Sequence, residues 1–222
     1  MLNGIPAAWI QCDPSVIPAP GQYLLAYAGG SNSPLAVPVF LGKSFAATKK
    51  IGANGFLAAP PIPASWGIGT RLYLRGPLGH GFLLPNSVHR IALIAFDDLP
   101  LHLMALLDTA LKHEASIVLV CKDPPDDLPL QVEVQPLDSF MDVCAWADYT
   151  ALDARRESLL ELKKIFAGSN RLRIGNEVQI LIRAPMPCGA LAECGVCTLD
   201  SGRGRLLVCK DGPVFNLKDL LN

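Results

Sequence analysis

Three things are scarce in this sequence: charge, long apolar runs and any sign of a disulfide framework. Only 18% of the 222 residues are charged, and the formal net charge is −1. That excludes an electrostatic case for binding nucleic acid or an anionic membrane surface. Apolar runs such as Ile91 to Phe96 are far too short to span a bilayer. Met1 to Asp13 offers no basic segment followed by an apolar stretch, so no signal peptide is expected. The seven cysteines are an odd number and, with no secretory signal, argue against disulfide stapling. These features point to a cytoplasmic setting.

What is present is a foldable chain. Half the residues are hydrophobic, which excludes global disorder, and the length suffices for one large domain or two small ones. Nineteen prolines and nineteen glycines imply many turns. Prolines at 14, 18, 20, 34, 38, 60, 61, 63, 77 and 85 leave the first 87 residues no room for a long helix. Tyr23 to Ala26, Ala36 to Phe40 and Arg71 to Leu74 read as short strands, and a small antiparallel β-barrel is expected.

Periodicity changes near residue 90. Ile91 to Ala95 and Ile117 to Cys121 read as buried strands around a helical stretch, Leu101 to Lys112, giving a minimal βαβ unit. Asp97 and Asp98, just before Pro100, read as capping carboxylates of that helix. Gln131 to Val134 and Ala147 to Leu152 read as further strands. A helix capped at Asp153 and ended by Gly168 should turn Leu159, Leu160, Ile165 and Phe166 inward. Glu177 to Arg183 is an alternating strand, followed by a Pro/Gly/Cys loop from Ala184 to Gly195 and a hairpin that ends in a strand from Arg205 to Cys209. The fold class expected is α+β and multi-domain: a barrel over 1–87, an α/β layer over 88–176, and a cysteine-rich loop-and-hairpin domain over 177–222.

Four of the seven cysteines crowd into that last segment. Cys188, Cys194, Cys197 and Cys209 follow the pattern C-x5-C-x2-C-x11-C. Three thiolates on one loop and a fourth from a neighbouring strand can wrap a [2Fe-2S] rhomb, much as plant-type ferredoxin spacing does. Gly189 and Gly195 allow the loop to bend, and amides freed by such a bend can point at the sulfurs. Structural zinc is the rival occupant, although zinc ribbons usually present two C-x2-C knuckles and one is found here. Cys12, Cys121 and Cys144 are scattered and read as packing residues. The four histidines show no metal spacing among themselves.

The stretch Cys188-Gly…Cys194-Gly-Val-Cys197…Val208-Cys209-Lys-Asp-Gly-Pro-Val-Phe215 resembles the iron–sulfur segment of the electron-transfer subunit of dihydroorotate dehydrogenase, a ferredoxin-reductase-like family. Gly76-Pro-Leu-Gly-His-Gly-Phe82 is similar to the family's GPLGxGF turn, and Pro20-Gly-Gln-Tyr23 to its PGQF turn, in the family's order. The resemblance implies a flavin-binding barrel, a nucleotide-binding α/β domain and a [2Fe-2S] domain. It makes the four C-terminal cysteines the cluster ligands and a catalytic dehydrogenase subunit or other redox protein the partner in a hetero-oligomer. The first cysteine spacing is x5 where x4 is usual. Leu35-Ala-Val-Pro-Val-Phe-Leu41 keeps the proline of the family's flavin motif but not its arginine or hydroxyl. Gly67-Ile-Gly69-Thr70 sits at the turn before a strand rather than at a phosphate loop. Phe96-Asp97-Asp98-Leu99-Pro100 carries carboxylates where a dinucleotide fold has glycines.

The expectation is therefore a non-catalytic relay within an oxidoreductase complex that holds FAD weakly or not at all and does not bind NAD(P)H. Two other readings stay open: a complete FAD-containing NAD(P)H reductase with altered contacts, and a structural zinc module. The cysteine assignment predicts a hierarchy. Alanine at Cys188, Cys194, Cys197 or Cys209 should abolish or cripple iron retention in anaerobically purified protein, whereas Cys12→Ala and Cys144→Ala should leave iron content unchanged. Iron lost on mutating Cys12 or Cys144 would refute the assignment.

Overall fold

The structure is a computed structural model that describes residues 5, 7–29, 36–43, 54–97, 99–168, 177–202 and 204–221. Leu35, Asp98 and Arg203 lie outside the described residues. The N-terminal part holds β1 (Ala8–Gln11), β2 (Tyr23–Ala28), β3 (Val37–Phe40), β4 (Gly55–Ala58) and β5 (Leu72–Leu78). Prolines and glycines keep these segments short, and short connections favour antiparallel pairing. β3, β2 and β5 form one antiparallel sheet in that order, β1 and β4 a second, and a bridge from Leu41 to Ala58 joins the two. Ile10, Leu24, Val39, Leu41 and Phe56 fill a small core between them. Gly67 to Thr70 is a turn, closed by Thr70 N–H donating to the Gly67 carbonyl at 3.1 Å, as its position before β5 implied.

The next elements are β6 (Arg90–Ala95), α1 (Leu107–Lys112), β7 (Ser116–Val120), β8 (Val132–Gln135), α2 (Phe140–Trp146), β9 (Tyr149–Arg155), α3 (Leu159–Ala167) and β10 (Glu177–Arg183). Then come β11 (Thr198–Ser201), β12 (Gly204–Leu207), α4 (Val208–Asp211), β13 (Val214–Asn216) and α5 (Leu217–Leu221). The central sheet runs β13-β10-β9-β6-β7-β8, parallel except for β13. Strands covered on both faces read as unbroken apolar runs, and Ile91 to Ala95 is buried throughout. β6, α1 and β7 form the expected βαβ unit. Among the described residues no helix is long and apolar enough to cross a membrane.

β10 and β13, which flank the cysteine-rich segment, are strands of the central sheet. Several expectations need correction. The stretch from Pro100 is not one helix: two 3-10 turns, Pro100–His102 and Met104–Leu106, precede α1. Asp97 does not cap it, since the residue at that N-terminus is Leu99, with no side-chain cap bond. Asp97 reaches across instead, accepting the Arg155 N–H at 2.6 Å and the Ser158 hydroxyl. Asp153 is no cap either, because β9 continues through it and α3 starts only after a 3-10 turn at Arg156–Ser158. The inward face of α3 is Leu159, Leu162 and Phe166, the i, i+3, i+7 stripe, with Ile165 partly buried and Leu160 exposed. Gly168 does stand at its C-cap.

Asp153 is 1% exposed, and its carboxylate lies 3.0 Å from His102 Nδ1 and accepts Arg183 Nε–H at 2.7 Å. Burial alone would raise this carboxyl's pKa, but the charges and hydrogen bonds of His102 and Arg183 hold it below the ordinary value. Removing one partner of such a pair strands the other, at a cost of about 3–5 kcal/mol. Asp153→Ala should lose stability of that order in urea unfolding near neutral pH. Because the folded pKa is depressed, the stabilisation is complete above the unfolded value of about 3.9 and is lost as pH falls through the lower folded value. The gap between wild type and variant should thus narrow in acid. A gap constant throughout that window would show that the carboxylate's charge contributes nothing.

Candidate metal centre

The loop after β10 carries Cys188 and Cys194, Cys197 lies immediately before β11, and Cys209 is the second residue of α4. The expected strand to Cys209 stops at Leu207, where the Asp211 carboxylate accepts the Leu207 N–H at 2.7 Å and the chain turns helical. The eleven residues between Cys197 and Cys209 are the two hairpin strands, the turn between them and Val208. Thr198 pairs with Leu207 in the hairpin, and Val208 N–H donates to the Cys197 carbonyl at 3.1 Å. Antiparallel register therefore delivers Cys209 beside Cys197.

The first two cysteines are brought together differently. Backbone φ is positive at Gly189 (62°), Ala190 (57°), Ala192 (63°) and Gly195 (68°). Left-handed turns of this kind direct successive amides into a concavity. The amides of Leu191, Glu193 and Cys194 and the Cys194 thiol stand close enough to the Cys188 sulfur to favour its thiolate, and the Ala192 amide does the same for Cys209. Positive φ at a residue with a Cβ is strained, by about 1–3 kcal/mol, and such residues cluster at functional sites. Burial would raise Cys188, yet the Cys194 thiol and these amides bring it down to about 6. Cys209 is pushed up to about 12 by burial, then by the neighbouring Cys197 thiol and the negative charge of Cys197 and Cys188. Cys197 and Cys209 are buried, Cys188 half-buried and Cys194 exposed. Among the described residues, no three His, Cys, Asp or Glu side chains converge as ligands of a single ion would.

The N-terminal sheets hold this lobe through Arg75, which the sequence reading did not single out, and through the two Gly/Pro turns. Arg75, on β5, donates to the Gly189 carbonyl at 2.6 Å. The Gly76–Phe82 turn does not simply pack its own sheets: His80 N–H donates to the Gly212 carbonyl at 2.7 Å, and His80 Nδ1 lies 3.1 Å from the Asp211 carbonyl. Gln22, in the Pro20–Tyr23 turn, bonds the Gly79 carbonyl at 3.1 Å, so the two motif turns brace each other. The only sequence signal for these contacts was the pair of Gly/Pro turns. Cys121 and Cys144 are buried and Cys12 half-buried.

A separate cavity of about 520 Å³ lies between the N-terminal sheets and the carboxyl ends of β9 and β10, lined by Val37, Pro38, Phe40, His102, Arg155 and Arg183 among others. Ligands of open α/β sheets bind at such strand ends. Arg183 Nε–H donates to Asp153 there, and Asp97 accepts the main-chain N–H of Arg155.

Comparison with known proteins agrees with the resemblance read from the motifs. Residues 184–221 match the family described as the iron–sulfur cluster binding domain of dihydroorotate dehydrogenase B. The chain is 27% identical over 166 residues, 69% of its length and 68% of the relative's, to a probable dihydroorotate dehydrogenase B (NAD(+)), electron transfer subunit, of Thermococcus kodakarensis. It is 25% identical over 228 aligned positions, covering 91% of this chain and 81% of the relative, to the protein of the same description from Pyrococcus furiosus. In fold it is similar to an NADH-dependent reduced ferredoxin–NADP oxidoreductase structure, with a TM-score of 0.69 over 96% of this chain and 84% of that one at 14% identity.

The bracing turn has a weak point at Gly79. Its φ is +74°, and a Cβ there would stand 2.4 Å from Pro213 Cδ and 2.6 Å from the Gly212 carbonyl oxygen. Gly79→Ala must therefore strain the turn or displace the segment after Cys209, at a cost of about 1–3 kcal/mol. Iron content per chain should fall and the thermal midpoint should drop. Retention of both at wild-type values would show that the turn does not support the site.

Proposed function

We propose that this chain is an iron–sulfur electron-transfer subunit that holds a [2Fe-2S] cluster on Cys188, Cys194, Cys197 and Cys209. The observation that carries the reading is a four-cysteine segment matching an iron–sulfur domain family, with a left-handed loop that turns amides toward its sulfurs. Three thiolates on one loop and a fourth beyond the hairpin suit two bridged irons, whereas zinc ribbons usually present two C-x2-C knuckles. A bound cluster of this kind supplies a one-electron couple. The chain's own part is to anchor the thiolates, to keep Cys197 and Cys209 from water, and to offer amide donors that favour the more negative, reduced state.

In this reading residues 1–87 and 88–176 keep the outline of flavin-binding-barrel and nucleotide-binding domains and act as scaffold, and 177–222 carries the cluster. The relatives' descriptions point to a catalytic dehydrogenase subunit, of the kind that oxidises dihydroorotate, as the partner within a hetero-oligomer. Free thiols and reducing chemistry fit a cytoplasmic setting. Electrons arrive from a protein partner rather than from NAD(P)H, because carboxylates occupy the strand ends where a diphosphate needs donors. FAD is held weakly or not at all for the same reason. The cavity beside Arg155 and Arg183 is what favours the alternative of a complete flavoprotein.

One preparation separates these readings. Anaerobically purified protein should contain two irons and two sulfides per chain, show no flavin band, and give the paramagnetic signal of a reduced [2Fe-2S] centre with dithionite. NADH or NADPH should leave the cluster oxidised. Stoichiometric zinc without iron would overturn the proposal. Bound flavin with rapid reduction by NADH would replace it with the flavoprotein reading.

A further inference from the structure

We infer that Tyr23 is a positioning residue for the cluster, its hydroxyl fixing the backbone of Cys209 and raising the reduction potential. The inference rests on the cluster assignment proposed above.

Tyr23 opens β2 and is fully buried. Its ring packs on Phe40, with centroids 5.9 Å apart, and lies against Gly79 in the bracing turn. Its hydroxyl donates to the carbonyl of Cys209 at 2.9 Å. That carbonyl has a particular need. In a continuing helix it would accept the N–H four residues on, but that residue is Pro213, which has none. α4 ends two residues after Cys209, and a tyrosine from 186 residues away supplies the donor.

The ring and the hydroxyl separate cleanly. A phenylalanine would fill the same space without the hydroxyl. Full burial favours the neutral hydroxyl, which therefore remains a donor to the Cys209 carbonyl. A proton shared with the Cys209 carbonyl draws electron density from the peptide of a ligand residue. Without it, a buried carbonyl is left uncompensated beside a centre that gains negative charge on reduction. Removing the hydroxyl should therefore make reduction harder.

The test is a potentiometric titration of the full-length, cluster-loaded protein, followed by its paramagnetic signal. Tyr23→Phe should keep iron and sulfide content while its midpoint falls by up to about 59 mV, a tenfold change in a one-electron equilibrium constant. Tyr149→Phe is the control for loss of a buried tyrosine hydroxyl, because Tyr149 donates to Gln179 Oε1 at 3.0 Å, not to the cysteine lobe, and its midpoint should match wild type. Incorporation of 3-fluorotyrosine at position 23 keeps the shape, strengthens the donor and should raise the midpoint. A Tyr23→Phe midpoint equal to that of Tyr149→Phe overturns the inference. If Tyr23→Phe does not accumulate as folded protein, an unchanged midpoint in the fluorotyrosine protein overturns it. Wild-type protein without iron would instead overturn the proposed function, so the two failures are distinct.

Discussion

Thiolates gathered in a small volume repel one another, and burial makes each harder to ionise; the rest of this structure answers that constraint. Cys209, pushed up to about 12, shows the cost of the gathering, and Cys188, brought down to about 6, shows the remedy. The remedy is the neighbouring Cys194 thiol and backbone amides at Leu191, Ala192, Glu193 and Cys194. Amides can face inward in succession only if the loop turns left-handed between them, which places Ala190 and Ala192 at positive φ. A strained loop persists only where its ends are over-determined. One end leaves β10, an interior strand of the central sheet, and the other enters the hairpin whose register fixes Cys197 against Cys209.

The same constraint explains why the N-terminal sheets are retained. A loop held only at its ends could relax its alanines and let the amides turn to water. Arg75 pins the loop at Gly189, and the Gly76–Phe82 turn takes the Gly212 carbonyl, so the segments carrying the first and last cysteines are both bonded to the N-terminal sheets. The apolar contacts agree, since Tyr23, Phe40 and Phe82 share one continuous core with Cys197, Val208, Cys209 and Phe215. A region that resembles a cofactor-binding barrel thus has a mechanical use that does not depend on a cofactor.

Much of this was legible in the sequence because it is local. Strand periodicity, proline content and four closely spaced cysteines are properties of short windows, and β2, β3, β6, β7 and β10 fall where the pattern put them. The misreadings are non-local. Asp97 and Asp153 look like caps because each precedes a helical stretch, yet their partners are 58 residues on and up to 51 residues back. Cys209 reads as strand-borne until Asp211 folds back on Leu207. Arg75 and Tyr23 carry no signature of their own, since their partners lie 114 and 186 residues away. No window of sequence contains those pairs.

The two misread carboxylates make a common point about the sheet. The carboxyl ends of parallel strands ordinarily present free amides and side chains to a ligand. Here Asp97 takes the Arg155 amide and the Ser158 hydroxyl, and Asp153 takes His102 and Arg183. A buried carboxylate is tolerated only when paired, so Asp153 and Arg183 each require the other. Asp97, just beyond β6, and Asp153, on β9, thus tie these strand ends to neighbouring segments, and β10 and β13 of the same sheet lead to the foot of the cysteine loop.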